Sequence, residues 1–506
     1  MITINKLLKS NSYFYLLLTL TVSTWQIFGI GKVNLRLSRG IDQEIMQLTS
    51  AKMFYFDFSS YQAAWNHHSP LLFYLTKFSY IFSDFYNSTF GFYALYTLFL
   101  CSVSITLYKI LFELLKNKYF SFLGSLIFIF DISSSTIGGK IIFDNRTWGI
   151  LFQSLIILSC IGYLKNKKII YLYLLAAASI IQIYNLESYS ASIFCVYLYL
   201  LYIEKDKLYF FLHSLSAGLI TIFYFAFLNF LNKELSEFFS LNIMFHISSI
   251  GLTNKFNNFK LTELFKAFFL EGNSSLSFLI SLGIIFFVSI TFLFNFKKKY
   301  LNEIEKLIYI LLLGEVLHLF LTGPRFTSYA QVLLLPIFIV IFFQIMTLFD
   351  RLNLNRHFGL IPFFIIFFVL QFGDVVHNRT SLIDGTLKET LESYNKPTED
   401  PKLILTWVDI DKYEKVFFEN NSLPSTRLWW WHQMKYVDDF YDKNYKMFDD
   451  ELLETVFTED VKKERPKISI IYTSIVSPHD YFLDYIIEHY QFSRLDGDLI
   501  YYQLNN

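Results

Sequence analysis

The chain has 506 residues, of which 54% are hydrophobic and 20% aromatic, and its formal net charge is +0 at pH 7. Soluble domains contain about 45–50% apolar residues even when glycine is counted, so this composition excludes an ordinary soluble protein. The balanced charge gives no sign of a nucleic-acid partner. The apolar residues fall in blocks of about 16–25, which is close to what a helix needs to cross a bilayer.

The blocks predict an α-helical polytopic membrane protein with about eleven transmembrane helices. The first block follows Lys6 and Lys9, and no small-residue cleavage site comes after it, so it is interpreted as a retained span. The predicted spans are residues 13–30, 90–112, 119–137, 146–164, 169–185, 188–203, 208–231, 276–296, 307–322, 328–349 and 357–372.

Basic residues are concentrated in alternate connections between the predicted spans. These residues are Lys6, Lys9, Lys116, Lys118, Lys165, Lys167, Lys168, Lys205, Lys207, Lys297, Lys298, Lys299, Arg351 and Arg356. The positive-inside rule places them on the cytoplasmic side, together with the N-terminus. Two long loops, 31–89 and 232–275, then lie on the outer side, and each contains an amphipathic segment that is expected to lie along the membrane surface.

The tail after Phe372 has a different composition, with more charged residues than the spans. Near its end, the runs KISIIYTSI, HDYFLDYIIEHY and DLIYYQL predict a strand, a helix and a strand. We therefore expect two domains, a transmembrane domain over 1–372 and an extracytoplasmic α/β domain over 373–506.

Ionisable residues recur at the outer ends of the predicted spans. They are Asp42 and Glu44 in the first outer loop, Lys140, Asp144 and Arg146 before the fourth span, Glu187 before the sixth, and Arg325 before the tenth. Charges at membrane depth are costly unless they are paired or face a watery cavity, so each is a candidate for function. Turns are also where any membrane protein can solvate a charge, and for a single residue this alternative stays open.

Asp42 and Glu44 are candidates for acid–base chemistry. A carboxylate beside a bound hydroxyl can take its proton as the oxygen attacks. Residues two apart point to different faces of a helix, so either the pair lies in a loop or only one carboxylate reaches the reacting atoms. The alternative is an acidic first turn of a surface helix.

Arg325 suits an anion, because the fork of donors on its guanidinium matches a phosphate. The alternative is contact with a phospholipid headgroup.

The spacing of His67 and His68 argues against zinc ligation, since no third ligand is near them. They either hydrogen-bond a substrate or pack against neighbouring side chains. The sequence contains no Walker-type or dinucleotide glycine loop. Nothing therefore indicates a nucleotide substrate. Because soluble nucleotide sugars are cytoplasmic, the donor of an outward-facing enzyme would be lipid-linked.

Five segments, in order, resemble the C-type (GT-C) membrane glycosyltransferase superfamily, in the branch of the protein O-mannosyltransferases and the bacterial aminoarabinose transferase. They are GIDQEIMQLT, HHSPLLFYL with Ser69 where a proline is usual, GGKIIFDNRTWGILF, GPRFTSYAQVLLLPIFIV with Arg325 and Tyr329, and the α/β tail. Together these segments extend over nearly the whole chain.

The resemblance implies roles for several residues. Asp42 would be the catalytic base and Glu44 its supporting acid, Asp144 would shape the acceptor or donor site, and Arg325 would hold the lipid phosphate. The remaining candidates for substrate binding are His67, His68, Lys140, Arg146, Glu187 and Tyr329.

The resemblance also implies the reaction. A sugar would pass, with inversion, from a polyprenyl-phosphate donor to a hydroxyl of a glycan, lipid or protein. The enzyme would act on the outer face of a bacterial inner (plasma) membrane, surrounded by membrane lipids. The oligosaccharyltransferase branch uses a divalent metal and the branch resembled here generally does not, so no cofactor is expected and a divalent metal, though compatible, is not favoured.

Two other classes of protein also account for part of this pattern. A transporter or flippase of lipid-linked saccharides is expected to have charges near the bilayer midplane, broken helices and an inverted repeat. A structural or assembly factor would explain the spans and leave the charged outer turns unexplained. Charges at the outer ends of the spans and the lack of a sequence repeat favour the glycosyltransferase.

Overall fold

The structure is a computed structural model. It describes residues 11–27, 53, 75, 90–134, 145–185, 190–231, 302–322, 334–351, 402–408, 416–417, 422–426, 450–472 and 480–505. The chain divides into two compact units, one built from the apolar helices and one that contains the C-terminal sheet. The predicted domain boundary at 372/373 and the two long loops lie outside the described residues and stay predictions.

The first unit is built from helices. Within the described residues these are α1 Asn11–Ile27, α2 Phe90–Leu115, α3 Lys118–Ser134, α4 Asn145–Asn166, α5 Ile169–Asn185, α6 Ser190–Ile203, α7 Lys207–Leu231, α8 Glu303–Thr322 and α9 Leu334–Arg351. Each coincides with a predicted span to within a few residues. The predicted spans 276–296 and 357–372 lie outside the described residues.

Three stretches of these helices are long and apolar enough to cross a membrane, among the residues that the structure describes. They are Ala94–Leu115, Trp148–Asn166 and Lys207–Phe227. Shorter apolar helices accompany them at Lys118–Phe130, Ile169–Asn185, Ser190–Ile203 and Leu335–Met346. The mostly helical membrane architecture agrees with the prediction, and the count of eleven spans stays a prediction.

Tight turns join α2 to α3, α4 to α5 and α6 to α7. Lys116 and Lys167 end their helices with φ angles of 54° and 52°, the left-handed conformation that commonly terminates a helix. Asn117, Asp206 and Asn302 each begin the next helix by accepting backbone N–H bonds through a side-chain oxygen. Such short connections make the joined helices antiparallel neighbours, as the alternating distribution of lysines predicts.

Glu204, in the turn between α6 and α7, links two of these connections. Its carboxylate lies 2.7 Å from the Lys167 ammonium and accepts a 2.8 Å hydrogen bond from the Tyr163 hydroxyl. Partial burial acts to raise the pKa of Glu204, but the hydrogen bonds from Lys167 and Tyr163 outweigh it and the pKa lies below its ordinary value. A carboxyl whose pKa is depressed by folding stabilises the fold above its unfolded pKa, and this contribution is lost as pH falls through the folded pKa.

Glu204→Gln is therefore expected to lower the melting temperature at pH 7 by an amount that corresponds to about 1 kcal/mol. The difference from wild type should shrink as the pH drops below about 4, where the wild-type carboxyl also becomes neutral. Thermal unfolding in detergent across this pH range measures it. Lys168→Gln serves as the control, because it removes the charge next to Lys167, in the turn between α4 and α5, and leaves the contacts of Glu204 with Lys167 and Tyr163 in place. A pH-independent difference would contradict the ion-pair account.

Gly314 allows α8 to approach α6 closely. A Cβ atom at Gly314 would lie 2.5 Å from the Cα atom of Ser192, which is a backbone contact that cannot rotate away. Small residues at such crossings let helix backbones pack tightly in membranes. The contact fixes the first turn of α6 against the C-terminal half of α8.

Gly314→Ala is expected to destabilise the protein by about 1–3 kcal/mol, because the added methyl group overpacks the crossing. Gly218→Ala is the matched control. Gly218 is also helical, and its added Cβ would have no neighbour within 4 Å among the described residues. Thermal unfolding of both variants in one detergent provides the comparison. Equal melting temperatures for the two variants would show that the crossing has room for the methyl group.

The second unit contains a five-stranded sheet with strand order β2-β1-β3-β5-β4. The strands are β1 Lys402–Trp407, β2 Ser422–Pro424, β3 Ile468–Ile471, β4 Tyr490–Asp496 and β5 Leu499–Leu504. The first three are parallel, and β5 pairs antiparallel with both β3 and β4. Among the described residues, this unit also contains helices α10 Asp450–Glu464 and α11 Asp480–His489.

The core of this domain is aromatic. Trp407 in β1, Phe457 in α10 and Phe482 in α11 are buried, and the Phe482 ring centroid lies 5.1 Å from that of Trp407 and 5.7 Å from that of Phe457. Ring contacts of this kind add to the burial of apolar area. Helices α10 and α11 therefore share one core with β1.

The predicted strand, helix and strand at the end of the chain are confirmed as β3, α11 and β5. Strand β4 was not predicted. It continues directly from α11, and Gly497, with φ 59°, makes the tight turn into β5. All of β4 after Tyr490 is exposed. Its register shifts between Phe492 and Arg494, and the alternation of apolar and polar residues that marks a strand breaks there.

Candidate functional site

The predicted site residues belong to segments next to the described helices. Nine of them lie outside the described residues: Asp42, Glu44, His67, His68, Lys140, Asp144, Glu187, Arg325 and Tyr329. Arg146 belongs to the first turn of α4, and the structure describes its backbone alone. Their proposed roles stay predictions, but the helix ends that carry several of them are described.

Three of the predicted polar turns are attached to described helix ends. Asp144 immediately precedes the start of α4, and Glu187 lies between the end of α5 and the start of α6. Arg325 follows the end of α8 after Gly323 and Pro324. Whether these turns meet therefore depends on how the four helix ends pack.

Specific contacts bring these four ends together. The side-chain amide of Gln182, in the last turn of α5, donates a 3.1 Å hydrogen bond to the carbonyl of Gly149 near the start of α4. Ser192, in the first turn of α6, lies against Gly314 in the C-terminal half of α8. Since both contacts join residues close to the polar turns, the ends of α4, α5, α6 and α8 lie at the same end of the bundle.

A buried hydrogen bond completes this arrangement. The Gln153 amide of α4 donates to Glu315 Oε1 of α8 over 2.6 Å, and the Ser192 side chain of α6 also bonds the Glu315 carboxyl. Glu315 and Gln182 have 0% exposure, and Gln153 and Ser192 have 1%. We call Gln153, Gln182, Ser192 and Glu315 the buried polar cluster.

Glu315 corrects one expectation from the sequence. The ionisable residues of the spans were expected at their outer ends, whereas Glu315 lies inside α8, about two turns before its end. Its Oε2 atom is buried and has no hydrogen-bond partner among the described residues. The sequence does mark Glu315, because its carboxylate interrupts the apolar run LLLGEVLHLF. An ionisable residue at that depth of a span is a functional candidate.

The described residues contain no group of three or more His, Cys, Asp and Glu side chains that could hold a metal ion. The acidic residues expected nearest the chemistry, Asp42 and Asp144, are outside that part of the chain. The expectation that the protein works without a metal therefore stays a prediction.

No protein-family model matches the sequence, and comparison with curated proteins finds no relative. Comparison with solved structures gives several matches, and two of them extend over most of the chain. The oligosaccharyltransferase of Archaeoglobus fulgidus, in complex with zinc and sulfate, is 13% identical with a TM-score of 0.48; the match covers 91% of this chain and 68% of that one. ArnT of Cupriavidus metallidurans, bound to undecaprenyl phosphate, is 11% identical with a TM-score of 0.47; the match covers 96% and 97%.

Both of these proteins are C-type glycosyltransferases, and ArnT is an aminoarabinose transferase. With identities of 13% and 11% and TM-scores below 0.5, the activity of this chain has to be argued from its own residues.

Proposed function

We propose that the protein is a membrane glycosyltransferase that moves a sugar from a polyprenyl-phosphate donor to a hydroxyl acceptor. The observation that carries the proposal is the meeting of four helix ends, those of α4, α5, α6 and α8. Their adjoining turns carry Asp144, Arg146, Glu187 and Arg325. A single charged turn is ordinary in a membrane protein, whereas three charged turns whose helices converge form a candidate site.

The proposed chemistry is a single displacement with inversion. Asp42 takes the proton of the acceptor hydroxyl as its oxygen attacks the anomeric carbon. The bond between that carbon and the lipid phosphate oxygen breaks, and its electron pair leaves with polyprenyl phosphate. Arg325 stabilises the charge that develops on the phosphate. The step needs no oxidant and no reductant.

The remaining assignments belong to the same proposal. The protein is placed in a bacterial inner membrane with the turns of the site and the C-terminal α/β domain on the outer face, as the distribution of basic residues favours. Soluble nucleotide sugars are cytoplasmic, so a donor that reaches this face is linked to a lipid. The acceptor class is a glycan, a lipid or a protein.

One observation favours the alternative of a flippase or transporter of lipid-linked saccharides. Glu315 is a carboxyl inside a span, and such residues are common in transport pathways. The two classes differ in their products, because a transporter moves the lipid-linked saccharide with its sugar–phosphate bond intact. A glycosyltransferase breaks that bond and leaves the sugar on an acceptor.

Mass spectrometry of surface glycans from cells with and without the protein tests the proposal. A glycosyltransferase is expected to account for one sugar on one class of acceptor, while the remainder of each glycan persists. Re-expression of the Gly218→Ala variant is expected to restore that sugar and controls for expression. Loss of complete glycans together with accumulation of a lipid-linked precursor would instead support the flippase.

A further inference from the structure

We propose that Glu315 is a positioning residue that sets the register of α4, α6 and α8, the helices that adjoin Asp144, Glu187 and Arg325 in the sequence. This inference rests on the proposed function and assigns a role to a residue that the proposed chemistry does not use. It is carried by the contacts of the Glu315 carboxyl with two other helices of the bundle.

Glu315 joins the three helices that lead to these residues. Its own helix, α8, ends at Thr322 and continues toward Arg325. Its carboxyl accepts the 2.6 Å hydrogen bond from Gln153 of α4, about two turns from Asp144. It also bonds Ser192 of α6, which lies in the turn of helix that follows Glu187. A single side chain therefore fixes α4 and α6 relative to α8.

Contacts of neighbouring residues restrict the sliding of these helices along one another near Glu315. Gly314, adjacent to Glu315, holds the α8 backbone against Ser192, and the hydrogen bond from Gln182 to the Gly149 carbonyl attaches α5 to α4. The four helices thus meet through directional contacts near one end. Hydrogen bonds specify rotation and register, whereas apolar packing in a membrane tolerates small shifts of one helix along another.

Stability alone does not account for a carboxyl at this position. Replacing buried polar partners by apolar residues of similar volume is often neutral or stabilising. Glu315 also leaves its buried Oε2 without a hydrogen-bond partner among the described residues. The best-attested use of such a group is to specify one register among several similar ones, and here it is the register of α4 and α6 against α8.

Two measurements on the full-length protein test the proposal. Spin labels at positions 145 and 322, in a background whose native cysteines are alanine, report the distance between the starting end of α4 and the finishing end of α8. Glu315→Leu is expected to broaden or shift this distance distribution, and Glu315→Gln, which still accepts from Gln153, is expected to preserve it.

Kinetics provide the second measurement. Because misplacement of reacting groups by about 1 Å costs on the order of 100-fold in rate, Glu315→Leu is expected to lower kcat by about 10- to 100-fold, with the KM for the lipid donor changed less than about threefold. Glu315→Gln should restore kcat to within about threefold of wild type. Thr106→Val is the matched control, because it removes a buried 2.8 Å hydrogen bond to Ser154 that joins α2 to α4 without involving α8. It should leave kcat and the label distance unchanged.

The outcomes separate this inference from the proposed function. An unchanged label distance in Glu315→Leu, or a Glu315→Gln variant as impaired as Glu315→Leu, would overturn the positioning role. A changed distance in Glu315→Leu that Glu315→Gln restores supports it, whether or not the wild type transfers a sugar. Lack of transfer by the wild type would refute the proposed function alone.

Discussion

Replacing Asp42 by asparagine is expected to abolish sugar transfer, with a loss in kcat of about 10²–10⁴-fold, the usual contribution of a positioned general base. Asparagine has nearly the shape of aspartate but cannot take the proton of the acceptor hydroxyl. The transfer rate with a lipid-linked donor in isolated membranes measures the effect. Membrane insertion and protein level should match the wild type.

Glu44→Gln is the matched control for Asp42, because it makes the same chemical change two residues away. It is expected to have the smaller effect, since Glu44 is assigned a supporting role. If Asp42→Asn transferred sugar at the wild-type rate, Asp42 would be excluded as the base. If instead Glu44→Gln were the more impaired variant, the two roles would have to be exchanged.

Arg325→Ala is expected to reduce kcat/KM for the lipid donor by about 10²–10³-fold. This is the usual loss of rate when one group that stabilises the developing charge is removed. The affinity for the acceptor should change much less, because the guanidinium is assigned to the phosphate. The kcat/KM of Arg325→Lys should lie between the values of Arg325→Ala and wild type, since lysine supplies the charge without the bidentate fork. Initial-rate kinetics with each substrate varied in turn measures the three proteins.

Equal losses toward donor and acceptor in Arg325→Ala would contradict this assignment and indicate a general effect on folding. Melting temperatures of the alanine and lysine variants distinguish these cases. A phosphate-binding role predicts that both variants unfold close to the wild-type temperature while their rates differ.

Much of the helical architecture could be predicted from the sequence, for a simple physical reason. A backbone in lipid must satisfy its hydrogen bonds within the helix, so a long apolar run has few alternatives, and nine predicted spans coincide with helices α1 to α9. The lysines at positions 116 and 167 likewise marked real turns, where each residue adopts a positive φ angle.

The pairing of side chains between helices could not be predicted in the same way. The spacing of residues along one helix does not reveal which helix is its neighbour or how deeply the two interlock. The hydrogen bond between Gln153 and Glu315 joins residues that are 162 positions apart in the chain. Glu315 could have been selected as a buried charge, but its partners Gln153 and Ser192 could not.

The candidate catalytic residues could be selected from the sequence, although their arrangement in space could not be predicted from it. Asp42 and Arg325 were selected because carboxylate and guanidinium chemistry, together with the resemblance of their segments to a known superfamily, suits the proposed reaction. Their mutual geometry depends on where the first outer loop, with Asp42, lies relative to the turn with Arg325, and neither periodicity nor composition specifies this. In the C-terminal domain, β4 was missed because it continues directly from α11 and its alternation breaks at the irregularity between Phe492 and Arg494, whereas the partly buried β5 was predicted correctly.

The central claim is that the protein breaks the bond between a sugar and a lipid phosphate and leaves the sugar on an acceptor. The most direct test reconstitutes the purified protein in liposomes with lipid-linked sugars and candidate acceptors extracted from its own cells. We expect polyprenyl phosphate and glycosylated acceptor to appear in equal amounts, and neither to appear with Asp42→Asn. Movement of the lipid-linked sugar across the bilayer with its phosphate bond intact, and no product, would contradict the claim.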